Sequence, residues 1–310
     1  MPQSVMIHKK SGVNMQQKLI KWMISIFRFL LLSCIAFVIL YPLFSKISLS
    51  FMSTSDLYDA GVIYIPKDFT LNNYQYAFEQ TDYFFSLAKT VLAIAGTALL
   101  QVASSLLVGY GFARFDFKFK NFWFGCAILT LIIPAQSIMA PLYFHFKNFN
   151  LFGLLGNNGL DLLNTYWPIV LMSAGCMGLN NCIYIYMFRQ YFKGFPKELE
   201  ESGQIDGANS FVIFIRIIIP CAVSMIVTAF LFSFVWQWTD TFYLNVFMPG
   251  NDFLSVSLTG LPTSVGATDL NYQAIMSNVS VILLVLPILI IFLFAQRFFV
   301  ESIERSGLVG

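Results

Sequence analysis

Six long apolar segments dominate this sequence and limit what the chain can fold into. Each has the length of about 20 mostly apolar residues that a helix needs to cross the hydrocarbon core of a bilayer. The segments are residues 22–45, 88–113, 122–145, 166–191, 211–236 and 275–299. Only 11% of all residues are charged, against about 25% in soluble domains. The sequence therefore predicts an all-α integral membrane protein with six transmembrane helices.

The distribution of lysine and arginine predicts the orientation of these helices, because cytoplasmic loops carry an excess of both. With the N-terminus inside, all but four of the 18 Lys and Arg residues are cytoplasmic; the exceptions are Lys46, Lys67, Lys89 and Lys147. Residues 1–21 are then a cytoplasmic segment, 22–300 the transmembrane domain and 301–310 a cytoplasmic tail. The first apolar run is too long for a signal peptide, so we expect it to be retained as the first span.

Residues that usually carry catalysis or bind metal ions are few and scattered. The five Cys form no C-x-x-C pair, and His8 and His145 are remote from them in sequence, whereas a metal site needs clustered ligands. The sequence contains no G-x-x-x-x-G-K-[ST] phosphate-binding loop and no acid–base or nucleophile constellation. The net charge of +2 is too small to favour nucleic acid as a partner. These observations argue against an enzyme.

A polar stretch at residues 193–220 separates the fourth apolar segment from the fifth. Glu198, Glu200 and Glu201 fall in what would be the first turn of a short helix, where acidic side chains interact favourably with the helix dipole. Asp206 and Gly207 form a turn signal, because glycine readily adopts the left-handed conformation that ends a helix. The stretch therefore predicts a short cytoplasmic helix followed by a sharp turn.

The same stretch predicts how this short helix joins the fifth span. Asn209 or Ser210 can cap a second helix that continues rigidly into the span and transmits force to it. Leu199, Ser202 and Gly203 would share one face of the first helix. A leucine beside two small residues makes a shallow recess that another surface can approach. The alternative interpretation is an ordinary polar loop with a capped helix.

The spacing in this stretch resembles the EAA motif of permease subunits of bacterial ABC importers, which reads E-A-A-x-x-x-D-G-A or a one-residue variant, then F-x-x-I-x-L-P. Here Glu201 begins the motif and Pro220 ends it. Ser202 and Gly203 stand where two alanines are usual, and Ile219 replaces the leucine before the proline. The stretches GYGFARFDF, LTLIIPAQSIMAPLY and FFVESIERSGLVG are similar to motifs of carbohydrate-uptake permeases. The last resembles the tail of the second permease subunit of maltose-type systems.

This resemblance implies the type I importer permease fold, with a cytoplasmic coupling helix that docks on an ATPase subunit. The positions implied for that docking are Glu198, Leu199, Glu201, Ser202, Gly203, Asp206, Gly207 and Ala208. In the maltose type the C-terminal tail also reaches the ATPase, which here implies Ser306, Gly307 and Gly310. The implied function is ATP-driven import of a carbohydrate across a bacterial cytoplasmic membrane.

The resemblance also implies the partners of the chain. They are a homologous second permease subunit, two copies of a cytoplasmic ATPase, an extracellular or periplasmic substrate-binding protein and membrane lipid. ATP and Mg²⁺ are expected on the ATPase, because this chain lacks a phosphate-binding loop. The subunit itself is expected to hold no cofactor and to have no enzymatic activity.

The stretch VWQWTDTFY, at the outer end of the fifth segment, is the strongest candidate for contact with a transported sugar. Sugars bind to flat aromatic faces and to polar groups that accept their hydroxyl protons. The candidates are Trp236, Gln237, Trp238, Asp240 and Tyr243. The alternative is an interfacial aromatic belt with a solvated aspartate. Gln101, Asn180 and Asn181 are more typical of hydrogen bonds between helices.

Two other functions agree with part of the pattern. An ABC importer permease could carry a peptide or an amino acid, although the tail and FARFDF motifs favour a carbohydrate. A secondary transporter would show ionisable residues within its spans and repeated halves. Lys89 and Asp240 lie only at span ends, and we find no convincing internal repeat. An ion-coupled transporter therefore fits less well.

Overall fold

The computed structural model describes residues 15–150, 153, 159–264 and 270–307. They divide into two compact units, Met1–Thr70 and Leu71–Gly310. Apart from two isolated antiparallel bridges, Met52 with Phe69 and Phe149 with Leu160, the regular structure in this part of the chain is helical. The predicted all-α class is confirmed.

The first unit consists of a long apolar helix and a folded-back loop. Helix α1 is Met15–Ser50, and the short α2 is Thr54–Leu57. The loop returns to the end of α1, where the N–H of Thr70 donates to the carbonyl of Phe51 (3.0 Å). Helix α1 contains the first predicted span.

The second unit contains the remaining helices, which are numbered in chain order. They are α3 Asn72–Thr81, α4 Tyr83–Arg114, α5 Lys120–Ile132, α6 Ala135–Lys147, α7 Trp167–Ala174, α8 Asn181–Lys193, α9 Glu198–Ile205, α10 Ser210–Ile213, the π-helix Phe214–Ile218, α11 Ile219–Cys221, α12 Val223–Trp238, α13 Phe242–Phe247, α14 Leu254–Ser264 and α15 Leu270–Gly307.

Three helices in the described residues, α1, α4 and α15, are long and apolar enough to cross a membrane. Two bent pairs pass the same test when each is counted as one span, which raises the number to five. The bend is 102° between α5 and α6, and 75° between Ser210–Cys221 and α12. The fourth predicted segment is two helices, α7 and α8, separated by residues 175–180. The third, fourth and fifth segments are thus not the single straight helices that hydropathy predicts.

Prolines explain the two bends. Pro134 caps α6 and follows the extended Ile133 (ψ 116°), because a residue before proline is pushed out of the helical conformation. Pro220 lacks the N–H that a regular helix needs. A π-helix precedes it, and the chain turns at Ala222 (φ −93°, ψ 7°). The prediction that the helix after the polar stretch continues rigidly into the fifth span is therefore wrong.

Helix α4 is the centre of the second unit and packs against α7, α8 and α12. Gly109 permits the close approach to α8, since a Cβ there would lie 2.6 Å from the Cβ of Phe188. Small residues allow such close backbone approaches in membrane proteins. We call the two ends of this bundle the Arg114 end and the Tyr83 end, after the last and first residues of α4.

Candidate functional site

The polar stretch at the Arg114 end forms the predicted short helix, α9, and the predicted turn. The N–H of Ala208 donates to the carbonyl of Gly203, and the N–H of Gly207 donates to that of Gln204 (both 3.0 Å). Gly207 has φ +80°. This pair of hydrogen bonds around a left-handed glycine is a Schellman motif. It ends α9 and redirects the chain at Asp206, as the sequence predicts.

A side-chain cap begins the next helix one residue after this turn. Asn209 has extended backbone angles, and its Oδ1 accepts a hydrogen bond from the N–H of Val212 (2.9 Å). Of the two predicted caps, the structure therefore uses Asn209 and not Ser210. Such a cap stabilises a helix by about 1 kcal/mol.

One face of α9 packs against the helical segment that follows the turn, and Gly203 makes this contact possible. A Cβ at Gly203 would lie 3.0 Å from Cδ1 of Ile217 and 3.1 Å from Cγ1 of Ile213. Both isoleucines belong to the helix that follows the turn. The prediction that Gly203 shares an open recess with Leu199 and Ser202 is wrong, because Gly203 is buried and the other two are exposed.

The opposite face of α9 is exposed. Glu198, Glu201 and Ser202 are exposed there, together with Leu199 and Ile205. Ile205 keeps 86% of its surface exposed. The Ser202 hydroxyl donates to the carbonyl of Leu199 (3.0 Å), within the same helix. A short helix therefore presents a mixed acidic and apolar face outward from the Arg114 end.

Glu200 fastens α9 to α4, and the sequence analysis missed this role. Its Oε1 lies 2.6 Å from Nε of Arg114, and the two side chains are 15% and 7% exposed. Its Oε2 accepts a hydrogen bond from the hydroxyl of Tyr110 (3.3 Å). Arg114 Nη2 also donates to the carbonyl of Phe195 (2.8 Å). Glu200 lies three residues before Gly203, and this spacing is the signal that both belong to the inward face.

The C-terminal tail is described only in part. Ser306 and Gly307 form the end of α15. Gly310 lies outside the described residues. The implied contact of this tail with an ATPase stays a prediction.

A cleft near the Tyr83 end contains three of the five predicted substrate residues. It has a volume of about 530 Å³, counting the space open to solvent. Gln237, Asp240 and Tyr243 line it, with Tyr166 and Phe253 among the other lining residues. The cleft therefore combines aromatic faces with an amide and a carboxylate.

Asp240 also has a structural role in this cleft. Its Oδ1 accepts hydrogen bonds from the N–H groups of Phe242 (3.1 Å) and Tyr243 (3.3 Å), so it caps the start of α13. Burial raises the pKa of the Asp240 carboxyl, and these backbone hydrogen bonds partly oppose the rise. Asp240 is therefore a capping residue that also lines the cleft.

The two predicted tryptophans are placed elsewhere, and neither is among the described residues that line the cleft. Trp238 is completely buried, and its Nε1–H donates to the carbonyl of Leu284 (3.0 Å). Its ring stacks on Phe234. The ring of Trp236 lies 6.5 Å from that of Tyr184. Trp238 is therefore a packing residue. Trp236 is half-buried, and its predicted contact with a sugar stays a prediction.

Gln237 connects the cleft to a buried polar network around Gln101. The Nε2 group of Gln237 donates to Oε1 of Gln101 (2.8 Å), which also accepts from the hydroxyl of Ser233 (2.6 Å). On its other side, Nε2 of Gln101 donates to Oδ1 of Asn181 (2.7 Å) and to the carbonyl of Leu179 (2.6 Å). The network joins α4, α8 and α12. It confirms the structural role predicted for Gln101 and Asn181.

The same network supplies a hydrogen-bond partner to the backbone where the fourth segment is interrupted. The carbonyl of Leu179 is released where the helix is interrupted, and Gln101 supplies its hydrogen bond. Non-helical backbone inside a membrane protein needs such partners. A Cβ at Gly178 would lie 3.0 Å from Nε2 of Gln101, so a glycine leaves room for the amide.

In the described part of the chain, no three His, Cys, Asp or Glu residues could together hold a metal ion.

The fold defines the class of protein. It is similar to one chain of the solved structure of a bacterial ABC transporter involved in the import of the acidic polysaccharide alginate, with a TM-score of 0.68. The match covers 89% of this chain and 96% of that chain at 19% identity. This likeness shows that the two chains share a fold.

A family model then places the chain more closely. Residues 105–305 match the model described as the binding-protein-dependent transport system inner membrane component. The chain belongs to this family. The prediction of an ABC importer permease subunit is confirmed.

Curated relatives extend over much of the chain. The arabinooligosaccharides transport system permease protein AraQ of Halalkalibacterium halodurans is 29% identical over 279 residues, which covers 89% of this chain and 93% of that protein. The lactose transport system permease protein LacG of Rhizobium radiobacter is 31% identical over 215 residues, which covers 69% and 71%. Their names concern arabinooligosaccharides and lactose.

Proposed function

We propose that this chain is a permease subunit of an importer that carries an oligosaccharide into the cytoplasm, driven by ATP hydrolysis on a partner. The proposal rests on the placement of α9. Its outward face is exposed, and its inward face is fastened to two parts of the bundle. The names of AraQ and LacG support a carbohydrate as the cargo.

The proposed membrane arrangement has six spans with both termini in the cytoplasm. Helices α1, α4 and α15 are three of them, α5–α6 and α10–α12 are two bent spans, and α7–α8 is a broken one. Residues 1–21 precede the 22–300 transmembrane domain, and 301–310 form the tail. The excess of Lys and Arg in the segments assigned to the cytoplasm supports this orientation in a bacterial cytoplasmic membrane.

The proposed assembly has four kinds of component. This chain pairs with a homologous permease subunit, and two ATPase copies bind ATP and Mg²⁺ on the cytoplasmic side. A substrate-binding protein delivers the sugar on the other side. Glu198, Leu199, Glu201 and Ser202 contact an ATPase through the open face of α9, and the tail from Ser306 onward makes a second contact.

The remaining coupling positions act by holding α9 in place. Gly203 permits its contact with Ile213 and Ile217, and Asp206, Gly207 and Ala208 form the turn. A displacement of α9 by the ATPase reaches α4 through Glu200 and Arg114. It reaches the helix before α12 through Gly203. Through these two contacts, a displacement of α9 moves α4 and α12 relative to each other around the cleft. This relative movement is the proposed basis of alternating access.

The cleft near the Tyr83 end is the proposed sugar contact on this subunit. Tyr166 and Tyr243 supply aromatic faces and hydroxyl groups. The amide oxygen of Gln237, which accepts a hydrogen bond from Thr97, can accept a further hydroxyl. The second oxygen of Asp240 can accept a sugar hydroxyl, while Oδ1 caps α13. A buried hydroxyl needs such partners, because an unsatisfied one costs about 1–3 kcal/mol.

A cysteine crosslink tests the coupling role. Ser202→Cys is placed in a chain lacking Cys34, Cys126, Cys176, Cys182 and Cys221, and is treated with a bifunctional thiol reagent in the complex with its ATPase. We expect a crosslink whose yield changes with ATP. The matched control is Lys118→Cys, which is exposed at the same end but outside α9. Equal crosslinking of both variants, or no crosslink at Ser202→Cys in a complex that contains the ATPase, would refute the coupling role of α9.

A stimulation assay tests the cargo separately. The reconstituted complex is mixed with its binding protein and with arabino-oligosaccharides, lactose, peptides or amino acids. We expect a sugar to raise the rate of ATP hydrolysis. Stimulation by a peptide or an amino acid alone would keep the permease role and replace the carbohydrate.

A further inference from the structure

We propose that a hollow at the Arg114 end binds the phosphate headgroup of an anionic phospholipid. The hollow lies between the turn that joins α4 to α5 and the last turn of α8, and its volume is about 960 Å³ including the space open to solvent. Arg189 and Lys193 line it from α8, and Lys120 lines it from α5. This hollow is separate from α9 and from the cleft near the Tyr83 end.

Arg189 is the main reason to expect a ligand there. Only 8% of its surface is exposed, and its guanidinium carbon lies 3.9 Å from the centre of the Phe124 ring. Its Nε is buried and has no hydrogen-bond partner among the described residues. A buried cation without an anionic partner is costly. A guanidinium offers a planar pair of donors that matches the oxygens of a phosphate.

The other charges around the hollow favour an anion. Lys193 is exposed at the rim. Lys120 lies 3.3 Å from Asp116, whose side chain is fully exposed. The Asp116 carboxylate also lines the hollow and repels an anion, but Lys120 compensates it. Arg189 and Lys193 then remain to bind a phosphate.

The apolar surroundings indicate that this phosphate belongs to a lipid. Phe117, Phe119 and Phe122 line the same hollow, and Phe119 is 76% exposed. Within α5, all of whose residues are described, no side chain is buried, although the helix is strongly apolar. Acyl chains below the headgroup can cover this surface. A soluble phosphate compound would leave it uncovered.

The depth of the hollow agrees with the headgroup region. It lies where α4 ends and α5 begins, and Trp123 is exposed on the first turn of α5. Tryptophan is enriched at the interface between membrane and water. In the proposed orientation this headgroup region belongs to the cytoplasmic leaflet. The choice of leaflet rests on the proposed function, whereas the site itself does not.

Lipid titration of the delipidated complex tests the site. Native mass spectrometry measures the binding of phosphatidylglycerol, phosphatidylcholine and glycerol 3-phosphate to the full-length chain in complex with its partners. We expect phosphatidylglycerol to bind more tightly than the other two. Lys193→Gln should weaken its binding about fivefold, as one basic side chain contributes about 1 kcal/mol near an anionic lipid surface. Arg189→Gln should weaken it further.

The matched control is Lys118→Gln, an exposed lysine of the same turn that is not among the lining residues. It should leave phosphatidylglycerol binding unchanged. An equal loss with Lys118→Gln would show a diffuse charge effect and overturn the site. Equal binding of phosphatidylcholine, or glycerol 3-phosphate binding as tightly as the lipid, would overturn the lipid assignment. Lys193→Gln changes an exposed residue, so the test stands even if Arg189→Gln fails to fold.

Discussion

The carboxylate of Glu200 lies 2.6 Å from Nε of Arg114, and this ion pair joins the short helix α9 to the end of the central helix α4. The two residues are far apart in sequence, and both side chains are largely buried. A contact of this kind lets a displacement of α9 reach α4 without passing through the turn at Gly207.

Glu200→Gln should uncouple transport from ATP hydrolysis. Removing one partner of a buried ion pair costs about 3–5 kcal/mol, and the lower end is expected because Glu200 keeps some exposure. Substrate uptake should fall at least about tenfold, while ATP hydrolysis continues; both are measured in proteoliposomes. The charge exchange Arg114→Glu with Glu200→Arg should restore part of the uptake. Glu201→Gln changes an exposed neighbour and should leave the thermal stability of the chain unchanged.

Gly203→Ala should destabilise the contact between α9 and the following helix. The added Cβ lies 3.0 Å from Cδ1 of Ile217 and 3.1 Å from Cγ1 of Ile213, and overpacking costs about 1–3 kcal/mol. We expect about 1 kcal/mol, because the nearest atom is the end of a flexible side chain. Ile217→Val removes that atom and should suppress the effect. Thermal unfolding of the two single variants and the double variant measures the coupling, and simple additivity would contradict this contact.

Gly207→Val should destabilise the turn after α9 more than Gly207→Asn. The glycine has φ +80°, a conformation that costs other residues about 1–2 kcal/mol and is tolerated best by asparagine. A Cβ there would meet nothing within 4 Å, so backbone strain alone separates the two variants. The ATP-dependent yield of the Ser202→Cys crosslink reports the position of α9. Equal yields in both variants would show that the left-handed turn does not matter.

Asp240→Asn should preserve the fold and weaken sugar transport. The amide oxygen of asparagine can accept the same N–H groups from Phe242 and Tyr243, so the start of α13 stays capped. The KM for the sugar should rise several-fold, because the carboxylate acceptor is lost. Asp240→Ala should in addition lower thermal stability by about 1 kcal/mol. An unchanged KM in Asp240→Asn would limit Asp240 to its capping role.

The same residue predicts a pH dependence. Burial raises the pKa of Asp240, so the carboxylate is protonated at a higher pH than an ordinary aspartate. The folded protein binds this proton more tightly than the unfolded chain does. The contribution of Asp240 to stability is therefore present at low pH and is lost as pH rises through the folded-state pKa. The sugar acceptor is lost in the other direction, as pH falls. Uptake should therefore decline in the native chain as pH is lowered, and at a higher pH than an ordinary aspartate would give, but not in Asp240→Asn.

Local chemistry made part of this molecule predictable. The Schellman turn at Gly207 and the cap at Asn209 depend on residues within a few positions of each other, so the sequence is sufficient to predict them. The first, second and sixth apolar segments likewise correspond to long helices. Hydropathy averages over many residues, however, and cannot show that Pro134 and Pro220 bend two others.

Long-range packing accounts for what sequence reasoning missed. The partner of Glu200 is Arg114, and the neighbours of Gly203 are set by how the next helix folds back. The rotation of α12 decides that Gln237 faces the cleft while Trp238 is buried. The order of aromatic and polar residues in the sequence does not determine how α12 is rotated about its axis. The sequence alone therefore does not separate the residues of the predicted cluster that line the cleft from the one that is buried.

The amide of Gln101 has a consequence for how the protein changes shape. Its oxygen is shared by two groups of α12, and its nitrogen by two groups on or next to α8, in a fully buried position. Helices that meet only through apolar side chains can slide past each other in small steps. Here a movement of α12 away from α4 breaks both hydrogen bonds to this oxygen and the one from Thr97 to Gln237. Each is worth about 1 kcal/mol, and the exposed oxygen must find new donors. The protein should therefore switch between two discrete hydrogen-bonded arrangements, with a threshold between them, and not drift through a continuum.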